Sequence, residues 1–169
     1  SPTFTLSYHL NDDAMLYGRL ARGYKSSGFN TAASSNPSRI AFDPEFVNSY
    51  ELGYRAAYLD GRVRVDGNVF YLDYKSIQVA DQDGAGFYIG NAAAARSFGA
   101  ELQLNARLNR FVDLSAGAGY VDAQYEEYGA RSGNAMPRAP RWTGSLALDM
   151  HAPATGGKLF VAPEIFYRS

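Results

Sequence analysis

From Phe46 to Lys75 the chain reads FVNSYELGYRAAYLDGRVRVDGNVFYLDYK, and the side-chain character there switches at almost every residue. In an extended strand Tyr50, Leu52, Tyr54, Ala56 and Tyr58 fall on one side, with Glu51, Gly53, Arg55 and Ala57 on the other. Asp60-Gly61 follows, a pair suited to the positive φ angles of a tight hairpin turn. Val63, Val65, Val69 and Tyr71 then alternate with Arg64, Asp66 and Asn68. A period of two through both arms demands two long antiparallel strands with one apolar and one charged face. The hairpin alone leaves open which face is inside.

The same grammar recurs along the chain. Residues 3–9 set Phe4, Leu6 and Tyr8 against Thr3, Thr5 and Ser7, and Asn11-Asp12-Asp13 turns. Residues 14–24 carry Leu16, Leu20 and Tyr24 on the apolar side, with Arg22 as an exception near the far end. Strands are also expected at 92–108, 111–124, 139–150 and 158–169, with turns at Asn109-Arg110 and 151–157. The longer connections, 25–45, 80–91 and 125–138, are expected to be loops. No stretch has a helical period of helix length. The expected fold is all-β, an antiparallel up-and-down meander of about eight long strands.

Two features favour a section of a transmembrane β-barrel. Strands of about 10 to 15 residues exceed the ~5–6 of soluble sheets and match a tilted bilayer crossing. Short turns and long loops also alternate strictly, as periplasmic turns and outer loops do in outer-membrane barrels. Composition agrees: the mean hydropathy is -0.29, and 13 Tyr and 10 Phe stand against one Trp. Such a barrel is apolar only at alternate residues, and its aromatics gather at the membrane interfaces. A soluble antiparallel barrel or sandwich with uneven loops is the alternative.

Several other classes are excluded or weakened. A net charge of -1 has no electrostatic footprint for nucleic acid. With no cysteine, disulfides and thiolate metal sites are impossible. His9 and His151 lie beside turns and form no metal pair. Asp81-Gln82-Asp83-Gly84 lacks the later ligands of a calcium loop. Gly84-Ala85-Gly86 and Gly117-Ala118-Gly119 open no helix after a strand, so they are not phosphate loops. Glu126 and Glu127 point to opposite sides of an extended chain and cannot act as a carboxylate pair. No nucleophile elbow is present, and neither an enzyme nor a bound cofactor is expected. The first residues, SPTFTLSYHL, do not read as a signal peptide, as expected of a cytosolic chain or of a mature or truncated piece.

Beyond periodicity, the run Leu16-Tyr17 … Ala21-Arg22-Gly23-Tyr24-Lys25-Ser26-Ser27-Gly28-Phe29-Asn30 resembles the strand-to-loop segment of TonB-dependent outer-membrane receptors. Asp43-Pro44-Glu45, Ser49-Tyr50-Glu51-Leu52-Gly53-Tyr54-Arg55, Asp60-Gly61-Arg62 and Phe70-Tyr71-Leu72-Asp73-Tyr74-Lys75 continue it in order. So do Gly90-Asn91-Ala92, Ser97-Phe98-Gly99-Ala100-Glu101-Leu102 and Met136-Pro137-Arg138-Ala139-Pro140. The resemblance implies a 22-stranded barrel with an N-terminal plug, set in the lipid of a Gram-negative outer membrane. Its implied cargo is an iron-siderophore chelate, cobalamin or a sugar, and its energy comes from an inner-membrane TonB complex acting through the plug. Residues 1–169 would then be a partial barrel domain without the plug or the closing strands. Counted from its turns, a complete eight-stranded barrel of this kind would have both termini outside the cell, which also points to an excised section.

On that reading Tyr50, Leu52 and Tyr54 face lipid, and Asp60-Gly61 sits on the periplasmic side. Arg19, Glu51, Arg55, Arg64, Asp66, Glu101, Gln103, Arg107 and Asp149 are expected to line the lumen against the plug. Loop residues Phe29, Tyr88, Arg96, Tyr125, Tyr128 and Arg131 are candidates for substrate contact, aromatics for a chelate or sugar ring and arginines for anionic groups. The alternative is a small self-contained β-barrel, either a membrane anchor or a soluble ligand carrier. Two places resist the pattern. Phe70, Leu72 and Tyr74 share the face of Asp66 and Asn68, which calls for a bulge or an aromatic patch facing the lumen. Pro163 has no N–H for a ladder and belongs on an edge or in a bulge.

Overall fold

The computed structural model describes residues 1–30, 39–83, 86–91 and 94–169. Its strands are β1 (Thr3–Asn11), β2 (Ala14–Lys25), β3 (Gly28–Phe29), β4 (Ala41–Phe42), β5 (Glu45–Tyr58) and β6 (Val63–Lys75). They continue with β7 (Gln78–Asp83), β8 (Gly86–Asn91), β9 (Ala94–Asn109), β10 (Val112–Glu127), β11 (Trp142–Ala154), β12 (Gly157–Val161) and β13 (Glu164–Arg168). The long strands form one antiparallel sheet in chain order, β1-β2-β5-β6-β9-β10-β11, and both β12 and β13 pair with β11. The expected meander is there. The sheet is open, with β1 at one edge and β12 and β13 at the other.

Each short turn has a local chemical cause. Asn11 Oδ1 accepts the N–H of Asp13 at 2.9 Å, and Asn109 Oδ1 accepts that of Phe111 at 2.8 Å. These asparagines close the β1–β2 and β9–β10 hairpins by replacing a backbone acceptor. Between β5 and β6 the Arg62 N–H donates to the Leu59 carbonyl at 3.2 Å, with Asp60 and Gly61 at φ +55° and +75°. Positive φ at both central positions is what a type I′ turn requires. The turn beyond β11 is shorter than the expected 151–157, because both strands extend until only Thr155-Gly156 lies between them, with Gly156 at φ +82°.

Register decides the faces. The β5–β6 and β6–β9 ladders run without a shift, so Phe70, Leu72 and Tyr74 lie on the face of Asp66 and Asn68 with no bulge. Of the two expected explanations the bulge is absent, and the three side chains form a patch on that face. Two glycines on that face are covered by cross-strand partners. A Cβ on Gly53 would run into the Tyr17 ring, and one on Gly99 would meet both the Phe70 ring and the Tyr120 carbonyl, the latter at 2.6 Å. The aromatic rings occupy the space that these glycines leave, a standard way to compensate glycine within a sheet.

Several expectations are corrected. Residues 80–91 are not a loop: β7 and β8 pair from Gln78↔Asn91 to Asp83↔Gly86, a hairpin of its own. Alternation there is interrupted by glycines, which hid the ribbon. Within 25–45, Gly28↔Phe42 and Phe29↔Ala41 form a two-residue ribbon. β10 runs on to Glu127, so the third long connection starts later than expected and holds a single 3-10 turn at Gly129–Arg131. The expected last strand is broken into β12 and β13 around Ala162-Pro163, yet Met150↔Val161 and Ala147↔Glu164 keep one register. The Leu148 N–H donates to the Pro163 carbonyl at 3.1 Å, so the missing proline N–H is on the β11 side, where Leu148 would otherwise have received it. The strand is an edge, as Pro163 requires, but the proline interrupts its inner ladder.

Substitution at the glycines should follow this geometry. In the full-length protein Gly99→Ala is expected to lose about 1–3 kcal/mol in thermal or denaturant unfolding, because backbone as well as a ring must move. Gly53→Ala should lose less, since only the Tyr17 ring must swing aside. Gly18→Ala, with nothing within 4 Å of its added carbon, should stay within about 0.5 kcal/mol. A reversed order would rule out the ring-over-glycine account.

Candidate functional site

Cross-strand register places all nine expected lumen residues on one face. Arg19 pairs with Glu51, Arg55 with Asp66, Asp66 with Gln103, Arg64 with Asn105 and Glu101 with Asn68, while Arg107 and Asp149 both pair with Asp113. The contacts form small clusters. Arg55 Nε lies 3.0 Å from Asp66 Oδ1, and its guanidinium sits 5.0 Å from the centre of the Tyr17 ring. The Tyr17 hydroxyl donates to Glu51 Oε1 at 2.6 Å. Asn68 Nδ2 donates to Glu101 Oε2 at 3.3 Å, and Arg107 Nε donates to Asp113 Oδ1 at 3.2 Å. Arg107 thereby offsets the like charges of Asp113 and Asp149, which stand directly opposite. Both side chains of the Arg55–Asp66 pair are about half exposed, so it contributes little to stability. A concavity of about 690 Å³ opens on this face, between Asp66, Asn68, Glu101 and Gln103 on one side and Phe166 and Arg168 on the other. The arrangement is a hydrated surface of mixed sign with many donors and acceptors.

The opposite face is apolar and uncovered. Phe4, Leu6, Leu52, Leu102 and Ile165 are each more than half exposed. The exception at Arg22 is explained by register: Arg22, Asn48, Asp73, Arg96 and Gln124 are successive partners in one row across five strands. Directly beneath runs Leu20, Tyr50, Tyr71 and Phe98. Tyr50 and Tyr71 touch at 6.3 Å, and Tyr120 lies against Trp142 at 4.8 Å. A polar row above an aromatic one marks the long-loop end of the apolar band.

The long-loop end has its own core. Ile77 and the fully buried Ala95 pack with Tyr74, Val79, Tyr125, Tyr128 and Met136. The third connection folds back on β10: Gly133 N–H donates to the Tyr125 carbonyl at 2.7 Å, and Met136 N–H to that of Ala123 at 2.9 Å. The first connection is held by three side-chain amides. Asn30 Nδ2 donates to the Ile89 carbonyl at 2.7 Å while its Oδ1 accepts the Ile89 N–H at 2.9 Å. Asn91 Oδ1 accepts the Asp43 N–H at 2.7 Å, and Gln78 Nε2 donates to the Ser26 carbonyl at 2.8 Å.

The substrate-contact candidates separate. Phe29 projects from β3 and is 77% exposed. Tyr88, on β8, carries the Arg39 guanidinium 4.3 Å from its ring centre. The Tyr128 ring lies tilted against that of Tyr125, their centres 5.0 Å apart, with Arg131 5.2 Å from the Tyr128 ring centre on the 3-10 turn. Arg96 and Tyr125 are not loop residues. Arg96 lies in β9 on the apolar face, 3.7 Å from Glu126, and Tyr125 lies in β10 against the Ile77 core. β10 outruns its expected end at 124, which misplaced Tyr125, whereas Arg96 already fell inside the expected strand 92–108 and was counted with the loops all the same. Tyr17 and the three amides carry roles that periodicity did not assign. Asn30 and Asn91 beside glycine-bearing runs were the available signal, since such amides bond to backbone at turns.

Comparison with known proteins follows this geometry. A family model described as "TonB dependent receptor-like, beta-barrel" matches residues 1–162. The metal-pseudopaline receptor CntO of Pseudomonas aeruginosa is 29% identical over 147 residues, 86% of this chain and 20% of the relative. The pesticin receptor of Yersinia enterocolitica is 28% identical over 136 residues, 80% of this chain and 20% of the relative. Among solved structures, the ferric yersiniabactin uptake receptor FyuA from Yersinia pestis superposes with a TM-score of 0.81 at 24% identity, over 97% of this chain and 25% of its own. BauA, the ferric preacinetobactin receptor of Acinetobacter baumannii, gives 0.77 at 19% identity, over 99% and 25%. The chain thus spans about a fifth of the length of the curated relatives it matches. It belongs to the TonB-dependent receptor β-barrel family, whose place is the outer membrane of Gram-negative bacteria.

Proposed function

We propose that this chain forms part of the wall and outer rim of an outer-membrane active-transport receptor for a bulky nutrient such as an iron-siderophore chelate. The observation that carries the reading is the two-faced sheet. Its apolar face is exposed over many strands, while the opposite face holds Glu51, Arg55, Asp66, Glu101 and Arg107. A contiguous apolar surface of this extent is foreign to soluble monomers and normal against lipid. The polar face would then line the lumen and hydrogen-bond to a plug domain outside this chain, through which a TonB complex delivers energy. Phe29, Tyr88, Tyr128 and Arg131 on the rim are the residues proposed to meet the chelate, and Arg96 and Tyr125 are withdrawn from that role. The metal-chelate receptors among the relatives support this choice of cargo. A small self-contained barrel has less support, because β1 does not pair with β12 or β13.

Orientation is testable by charge. In the full-length receptor, Leu104→Arg at mid-band is expected to destabilise the barrel in lipid by about 2–4 kcal/mol. Its neighbour Gln103→Arg, on the other face, should change stability by less than about 1 kcal/mol. Equal losses would remove the lipid-facing assignment. For the cargo, outer-membrane uptake of iron-55 loaded onto a panel of siderophores should depend on the intact receptor and on TonB. Uptake indifferent to either would defeat the reading.

A further inference from the structure

We infer that the described parts of the long connections of this rim move as one body, with the β7–β8 hairpin as its hub and the amides of Asn30, Gln78 and Asn91 as latches. Elsewhere the described long strands are joined by main-chain ladders. Between the first connection and the hairpin, side-chain amides do that work across 35 to 59 residues of sequence.

Asn30 imitates a strand residue. Its Oδ1 and Nδ2 make the two reciprocal bonds with Ile89 that a backbone partner would make, at 2.9 and 2.7 Å. The same Nδ2 also reaches the Arg39 carbonyl at 2.8 Å, and the Asn30 N–H donates to Ile40 at 2.7 Å. One residue therefore closes the β3–β4 ribbon and docks it on β8. Asn91, at the end of β8, takes the Asp43 N–H and donates to the carbonyls of Asp43 and Ser76 at 3.0 and 2.8 Å. Gln78, its partner across the hairpin, donates to Ser26 and Asp43 at 2.8 and 3.1 Å, while its own N–H is taken by Glu45 Oε2 at 2.9 Å. An amide can both donate and accept, so it can satisfy a loop's N–H and C=O together, which an ionised carboxylate at the same place could not.

The other flank of the hairpin is held by apolar packing. Ile77, just before β7, is buried against Ala95, Tyr125, Tyr128 and Met136, which ties the hub to the third connection. The hub is thus polar-bonded to one loop and greasy against the other. A ligand that pulls on Phe29 or Tyr88 acts on the whole rim, and capture proceeds by a concerted tilt rather than by closure of separate loops. This functional meaning rests on the transport reading above. The mechanical coupling does not, so the two can fail separately.

Hydrogen exchange read by mass spectrometry on the full-length receptor in detergent tests the coupling. Asn91→Ala should speed exchange about ten-fold in peptides covering 39–45 and 76–91 together, for the loss of two to three hydrogen bonds. Peptides covering 100–108 and 112–120 should not change. Asn30→Ala should act alike on 26–30 and 86–91. Acceleration confined to the segment that bears the substitution, or none, overturns the inference. If Asn91→Ala also loosens the sheet, Asn30→Ala, whose bonds reach only rim backbone, decides by the same criterion.

Discussion

The ladder from β2 to β11 is the constraint on which everything else depends. Its pairings Leu16↔Tyr54, Tyr54↔Gly67, Gly67↔Leu102, Leu102↔Ala118 and Ala118↔Gly144 carry one row of apolar or small residues across the sheet. A slip of one residue at any junction would turn every later strand over and bring Arg55 or Glu101 into the apolar face. In lipid the penalty would be severe, because neither the charge nor a freed backbone group would find water. Short turns built on Asn11, Asp60-Gly61 and Asn109 pin that register from one end.

A single sheet has no interior, and this one does not behave as a soluble protein should. Among the described residues, the buried apolar ones apart from Ile77 are alanines, including Ala56, Ala95, Ala106 and Ala123. Its large apolar side chains stand exposed on the outer face. Among the described residues, packing in the usual sense occurs where the membrane pattern stops, around Ile77 at the long-loop end. There the chain changes strategy, from ladders to side-chain amides, a tilted tyrosine pair and a small apolar cluster. On the proposed reading the sheet supplies a frame in lipid, and the rim supplies the shape that meets solutes.

The rim was also the part least readable in advance. Alternation identifies a strand whose two faces meet different solvents, which is why Phe46–Lys75 was clear and the nine polar residues sorted correctly to one face. In β7 and β8 the apolar residues do not alternate, since Phe87, Tyr88 and Ile89 run together between glycines, so residues 80–91 looked like loop. Tyr125 was placed in a loop because β10 continues past the apolar band, where alternation no longer marks it, while Arg96 lay inside the expected strand 92–108 and was nonetheless counted with the loops. Pro163 was foreseen at an edge. That its missing donor faces β11 required knowing which pairs in the ladder are hydrogen-bonded.

The residues by themselves therefore determined the strand content, the hairpin turns and the chemistry of each face, because these follow from local backbone geometry and a two-residue period. Which connection touches which was decided only by the tertiary structure. Asn30 and Ile89 are 59 residues apart, and an amide in a loop carries no mark of the backbone it will bind. Contacts at that separation exist only after the sheet has brought the loop ends together, since until then chain entropy keeps them apart.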